Sequence, residues 1–340
     1  MYRIGRYSPL ALVMARSFFV LCCAFWLMAC SNESAEVNTV LKQGAYASLT
    51  DSIQQYPRNA DLYYRRGVQL YSGNEKALAE TDLRTAWQLA PKETFALSLA
   101  TLLKEKSADS AIVFLQAAQK TLPESVGISI ALARGYQQKG EPEKALTLCQ
   151  QILARYPNSL DALTLQSELL AIQKKDTESL TALEKAYSLA PNDIELVNNL
   201  AFAYAENGNP NAIKLSDSLL KKDTEGRHAE PYYFKALYFE NTGNATEALR
   251  LLEEAVHHDY MFLDAHMEKG QILYNQKKYA ASLKTFQLAV TITPTFADAY
   301  YWVGKSLEAL GNKADAKTNY ERAFALDKSN AEAKAAAARL

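Results

Sequence analysis

The chain has 340 residues, 37 Lys and Arg against 38 Asp and Glu, a formal net charge of −1, and four cysteines. Near-neutral charge with no dense basic patch excludes a nucleic-acid protein, because neutralising phosphates needs clustered cations. The pairs Lys174-Lys175, Lys221-Lys222 and Lys277-Lys278 read instead as solvated turns. Length alone suggests two domains.

Residues 1–29 carry Arg3, Arg6 and Arg16 and no acid. An apolar run from Ser17 to Met28 follows, the length of a signal h-region. It is short of the roughly 20 residues that span a bilayer. Either Met1 or Met14 serves as the start, since Met14 onward already forms a compact signal. The run ends in Leu27-Met28-Ala29-Cys30. A plain secretory signal with a chance cysteine, or an uncut anchor, would also fit the apolar run. The ending resembles a bacterial lipobox, with an aliphatic residue three before the cysteine and a small one just before it. The resemblance implies cleavage of residues 1–29, a diacylglyceryl group on the Cys30 sulfur, and an acyl chain such as palmitate on the new amine.

Residues 30–40, with the polar run Ser31 to Glu36, read as a flexible tether. Serine after the cysteine favours the outer membrane by the enterobacterial sorting rule. The expected place is therefore the bacterial cell envelope, lipid-anchored at the outer membrane and facing the periplasm. At ~0.8 kcal/mol per buried CH₂, one chain binds reversibly while two or three hold firmly. With Cys22 and Cys23 in the signal and Cys30 lipidated, only Cys149 remains. No intrachain disulfide is then possible, and Cys149 is expected as a buried thiol.

Residues 41–59 look like a degenerate leading half-repeat. From Ala60 one pattern restarts at Lys92, Val126, Leu160, Ile194, Ala229, Leu263, Ala297 and Ala331, in steps of 32 to 35 residues. Such a period with two helices per unit marks a stacked helical array, which grows without a new core and so overrides the two-domain expectation. Seven residues after most starts sits a small residue, as in Gly67, Ala133, Gly270 and Gly304, with Leu99 the exception. At offset ten sits a large apolar one, as in Leu70, Tyr136, Tyr204 and Leu307. Small residues let two helices approach, and large ones fill the groove between them. Pro91, Pro123, Pro157, Pro191 and Pro294 end units, since proline cannot continue a helix. Asn158-Ser159 and Asn192-Asp193 can cap the next helix. Turn signals such as Gly73-Asn74, Gly140-Glu141 and Gly311-Asn312 divide each unit.

This array resembles the tetratricopeptide repeat family over residues 60–330. The unit from Phe296 to Lys328 matches best, through Ala299, Tyr300, Gly304, Leu307, Gly311, Ala316, Tyr320 and Ala323. The resemblance implies an all-α fold, a right-handed superhelix (α-solenoid) of about eight helix-turn-helix units. Residues 331–340, AEAKAAAARL, read as a C-terminal capping helix. Two units depart from the pattern. The second has Leu99 and a shortened turn at Lys106-Ser107. The fifth ends in the polar run 221–227, which suggests a bend between two halves.

In this family the first helix of each unit lines a concave groove, and offsets four, eight and eleven point into it. Helical spacing puts those offsets on one face. The candidate partner-binding residues are Tyr64, Tyr71, Asn198, Phe202, Tyr233, Leu237, Met267, Tyr274 and Tyr301. An apolar strip with tyrosines suits an extended peptide or an amphipathic helix. Offset one is acidic in seven units, among them Asp61, Glu93 and Asp264, with Gly127 the exception. Those acids form either a ridge for a basic partner or first-turn charges that favour the helix dipole. A carboxylate clamp of the chaperone-binding type is not expected: Asn198 and Asn199 are suggestive, but Glu230 and Phe234 follow where cations are needed.

No phosphate loop, nucleophile turn, zinc helix or paired CxxC occurs. His257 and His258 suit the last turn of a helix and His266 an apolar repeat position, rather than a metal site with Asp264. No catalytic residue, metal or cofactor is expected, and no small-molecule substrate. The sequence thus points to a non-enzymatic, membrane-anchored scaffold that binds protein partners. An adaptor for envelope polysaccharide or another exported polymer, with tyrosines as stacking platforms, is the alternative.

Overall fold

The computed structural model describes residues 39–223 and 225–340. The signal, Cys30 and nearly all of the tether lie outside the described residues. The described residues are helical with no strand, and they fall into two bodies that divide between Pro157 and Asn158.

The N-terminal body holds α1 (Gly44–Gln55), then α2 (Ala60–Ser72) with α3 (Lys76–Leu89), α4 (Glu93–Lys106) with α5 (Ala108–Thr121), and α6 (Val126–Gln138) with α7 (Pro142–Arg155). In the C-terminal body, α8 (Leu160–Ile172) pairs with α9 (Asp176–Leu189), and α10 (Ile194–Glu206) with α11 (Asn211–Lys222). There follow α12 (Glu230–Asn241) with α13 (Ala245–His258), α14 (Leu263–Asn275) with α15 (Tyr279–Ile292), and α16 (Ala297–Ala309) with α17 (Lys313–Leu326). Helix α18 (Ala331–Arg339) packs on α17 and buries Ala333 and Ala337.

The helices form where capping and small-residue chemistry coincide. Asn59, Ser125 and Asp193 are extended and accept N–H groups of the first turn that would otherwise lack partners. Ser159 is extended too, but its side chain makes no cap bond. Within a pair, the small residue at offset seven meets a large side chain from the second helix. A Cβ on Gly270 would lie 2.5 Å from the Phe286 ring, and one on Gly304 would lie 2.8 Å from the Tyr320 ring. Phe286 and Tyr320 are fully buried at those contacts. At the same level Ser282 donates to the Gly270 carbonyl at 2.9 Å, and Ser179 to that of Ser167 at 2.8 Å.

Seven of the eight turns inside pairs contain a left-handed residue: Asn74, Gly140, Lys174, Gly208, Gly243, Lys277 or Gly311. Each closes with a bond from the N–H after it to the carbonyl at offset ten, such as Glu75 to Leu70 and Asn312 to Leu307. The second pair differs. Ser107 alone joins α4 to α5, extended at φ −167°, and is the C-cap of one helix and the N-cap of the next. Leu99, the exception at offset seven, is fully buried there beside Leu102, Leu103 and Ala111. Packing continues across the polar run 221–227, because α12, which follows it, packs against both α10 and α11, which precede it.

Candidate functional site

Several successive first helices touch one another: α2 meets α4, α4 meets α6, α10 meets α12, and α14 meets α16. The outward faces of each touching set lie side by side. In the N-terminal body that surface carries Tyr64 and Tyr71, both half-buried. Tyr64 stacks on Phe95 with centroids 4.6 Å apart, and its hydroxyl lies 3.3 Å from Ser98 Oγ. Tyr71 donates to Glu105, which also pairs with Lys76 at 2.7 Å. The hydrogen bond to Glu105 raises the Tyr71 pKa, and Lys76 and Tyr71 together lower that of Glu105.

In the C-terminal body the candidates separate into three groups. Leu237 and Met267 are 4 % and 7 % exposed. Met267 packs with Phe286, Ala289, Ala299 and Val303, and α12, the helix of Leu237, is enclosed by α10, α11 and α13. Both are core residues rather than groove residues, because a first helix packed on several neighbours has little free face. Tyr274 and Tyr301 form a second group around Lys305. The lysine Nζ sits 4.1 Å from the Trp302 ring centroid, 5.1 Å from Tyr274 and 5.6 Å from Tyr301. Tyr301 donates to Glu332 at 2.8 Å, and burial followed by that bond pushes its pKa up to about 12. Glu308 beside them accepts from Tyr320 and pairs with Arg339, each at 2.8 Å.

Asn198, Phe202 and Tyr233 make the third group. Phe202 is 41 % exposed on α10 and meets Phe234 edge to face at 6.0 Å. Tyr233 is half-buried between Phe234 and Phe262. Asn198 is half-buried one turn before Phe202. Around these rings lie carboxylates that sequence reasoning did not join: Glu206 ending α10, Glu240 on α12, and Asp264 and Glu268 on α14. Burial raises the Tyr233 pKa first, and then Glu268, Asp264, Glu206 and Glu240 raise it further. Glu268 is pushed up to about 8 by burial, by its hydrogen bond with Glu240 and by the charges of Glu240 and Asp264. Loss of surrounding water raises the Glu206 pKa as well, helped by Glu268 and Asp176. Among the described residues none of Glu206, Glu240, Asp264 and Glu268 has an ion-pair partner.

Beside Phe202 a cavity of about 610 Å³ opens between α8, α9 and α10. Leu180, Leu183, Ala171 and Ala203 give it an apolar wall, and Asp176, Asn199 and Glu206 reach its rim. No Lys, Arg or His lines it.

The first-turn acids act locally. Asp61 pairs with Lys92 at 2.8 Å, and Glu93 accepts from Ser125 at 2.5 Å. A Cβ on Gly127 would lie 2.8 Å from Glu93 Oε1, the movable end of that side chain. The His257 and His258 rings meet edge to face at 5.9 Å, and His258 and His266 are each engaged by other groups. His266 is 3 % exposed with Nε2 2.9 Å from the Tyr260 carbonyl. His258 stacks on Tyr232 and places Nδ1 2.7 Å from the Gly226 carbonyl. Among the described residues no group of His, Cys, Asp and Glu is arranged to hold a metal, and Cys149 is fully buried.

Comparison with known proteins agrees with this geometry. Tetratricopeptide repeat models match residues 102–169, 233–295 and 297–330. A tetratricopeptide repeat protein from Parabacteroides merdae has a similar solved structure. It is 14 % identical with a TM-score of 0.53, covering 82 % of this chain and 97 % of its own. An IFIT1 monomeric mutant crystallised with Gppp-AAAA is 15 % identical over 78 % of this chain and 69 % of its own, with a TM-score of 0.48. The MamA protein is 16 % identical over 60 % of this chain and 93 % of its own, with a TM-score of 0.31. Likeness at these levels extends to the fold alone for the first and carries no functional weight for the others. No curated protein matches the chain.

Proposed function

The chain is a tetratricopeptide repeat protein, and from that premise we propose that it is a non-enzymatic scaffold. In this reading it binds protein partners along its row of first helices while a lipid on Cys30 holds it to the bacterial envelope. The observation that carries the binding half is the surface at Phe202. An aromatic ring 41 % exposed beside an apolar-walled cavity is the kind of surface that anchors a partner's side chain. A partner's extended segment or amphipathic helix fits a face built from parallel helices. The anchor half is supported by Leu27-Met28-Ala29-Cys30 and by the polar run that follows. Ser31 after the cysteine supports placement at the outer membrane, facing the periplasm, by the enterobacterial sorting rule.

Two experiments test the two halves separately. A photo-crosslinking amino acid at position 202, introduced in cells, should trap discrete proteins, while one at Val113 on a second helix should not. Equal trapping at both positions would remove the binding surface. Cys30→Ala should release the chain from membranes and abolish incorporation of labelled fatty acid. A membrane-bound, unlabelled Cys30→Ala chain would remove the anchor.

A further inference from the structure

Aromatic rings and carboxylates recur along the row of first helices, and where they do the chain usually supplies its own cation. Lys76 pairs with Glu105 beside Tyr71, Arg339 with Glu308 beside Tyr320, and Lys305 lies over Tyr274, Tyr301 and Trp302. Repeats five to seven break this rule. There Phe202, Phe234 and Tyr233 stand among Glu206, Glu240, Asp264 and Glu268, and no lysine, arginine or histidine of the described residues pairs with these acids. The cavity adjoining Phe202 continues the same character, with acids at its rim and no base.

We propose that this surface is the docking site for a basic segment of a partner protein, with a lysine or arginine seated among Glu206, Glu240 and Glu268 and a neighbouring apolar side chain against Phe202. The proposal rests on the scaffold reading and adds the chemistry of the partner. Charge complementarity carries it. Carboxylates crowded on three helices repel one another, and a guanidinium or ammonium brought by a partner would relieve that repulsion. Phe202 and Tyr233 would add a face for the cation and its aliphatic stem. A polyanion or an acidic peptide would meet like charge at this place. Burial first, and then the neighbouring carboxylates, raise the pKa values of Glu206 and Glu268.

The test uses random dodecapeptides displayed on phage, selected against the full chain at 0.15 M salt. Lysine and arginine should be enriched next to aromatic or aliphatic residues. A synthetic peptide of the selected consensus should bind Glu206→Gln/Glu240→Gln at least about tenfold more weakly than the unaltered chain. Glu321→Gln on a second helix should bind it as the unaltered chain does. Phe202→Lys, at a position 41 % exposed, gives the site a cation of its own and should weaken binding by a similar factor. Selected peptides with no excess of basic residues, or equal binding by the unaltered chain and Phe202→Lys, would overturn the proposal. The scaffold reading is judged separately: proteins trapped through position 202 would sustain it even if the selected peptides were neutral or acidic.

Discussion

Arg66 and Asp82 form a buried, two-pronged ion pair, with Nε to Oδ2 at 2.6 Å and Nη2 to Oδ1 at 2.8 Å. The third arm of the guanidinium donates from Nη1 to Thr50 Oγ1 at 3.0 Å. The Thr50 hydroxyl in turn lies 2.8 Å from the Leu41 carbonyl and 2.9 Å from that of Tyr46. One charged cluster thus joins α1 to the first repeat, and each member depends on the others. Asp82→Ala would leave a buried cation unpaired, at a cost of roughly 3–5 kcal/mol. Replacing both charges, as Arg66→Met/Asp82→Leu, should restore much of that. Urea unfolding, with hydrogen exchange read at α1, checks both outcomes.

Gly270→Ala should destabilise the seventh repeat by about 1–3 kcal/mol, because the new methyl would press into a fully buried Phe286 ring. Adding Phe286→Leu to the same chain should recover part of the loss by vacating the ring's edge. Thermal unfolding of the single and double variants measures it. A neutral Gly270→Ala would mean that the two helices can slide apart at little cost.

Lys277 closes the turn between α14 and α15 with φ at 61°, a region that strains an L side chain. Lys277→Gly should therefore stabilise the protein by roughly 1 kcal/mol. Lys174→Gly, at φ 57°, should act in the same direction. A lower melting temperature in either variant would contradict this account of the turns.

Stability should also respond to pH through Glu268. Its folded pKa is raised above the unfolded value, so between the two the native state binds more protons than the unfolded one. Stability from this group is therefore fullest below the unfolded carboxylate pKa and falls as pH rises toward about 8. Glu268→Gln should flatten that slope. Melting temperatures of both chains from pH 5 to pH 8.5 decide it, and identical slopes would exclude Glu268 as the source.

The array was legible because its rules repeat. The recurrence of a small residue at offset seven, a large one at offset ten and a turn after it gave eight registers of the same packing problem. What repeated weakly was hidden. Glu206, Glu240 and Glu268 stand at offsets twelve, eleven and five of three different repeats, so no single register marks them. Leu237 shares its register with the exposed Val68 and Phe202, yet neighbouring helices cover it, and Met267 lies in a register that is buried or half-buried in every unit. Nothing in the repeat pattern marks Arg66 and Asp82, which the fold encloses. The irregular run 221–227 suggested a bend, yet the two bodies divide at Pro157, inside a stretch of regular spacing. Packing continues across the irregular loop, and local composition does not report packing at a distance.

Ser107 leaves α4 and α5 no slack. Any residue inserted there and absorbed into α5 would swivel that helix by about 100° about its own axis. Ala111, Ile112 and Leu115, all buried now, would rotate toward water together. The three-residue turns elsewhere can take up an inserted loop or tag, but this joint transmits it directly to the core, so changes of chain length here are the least tolerated in the N-terminal body.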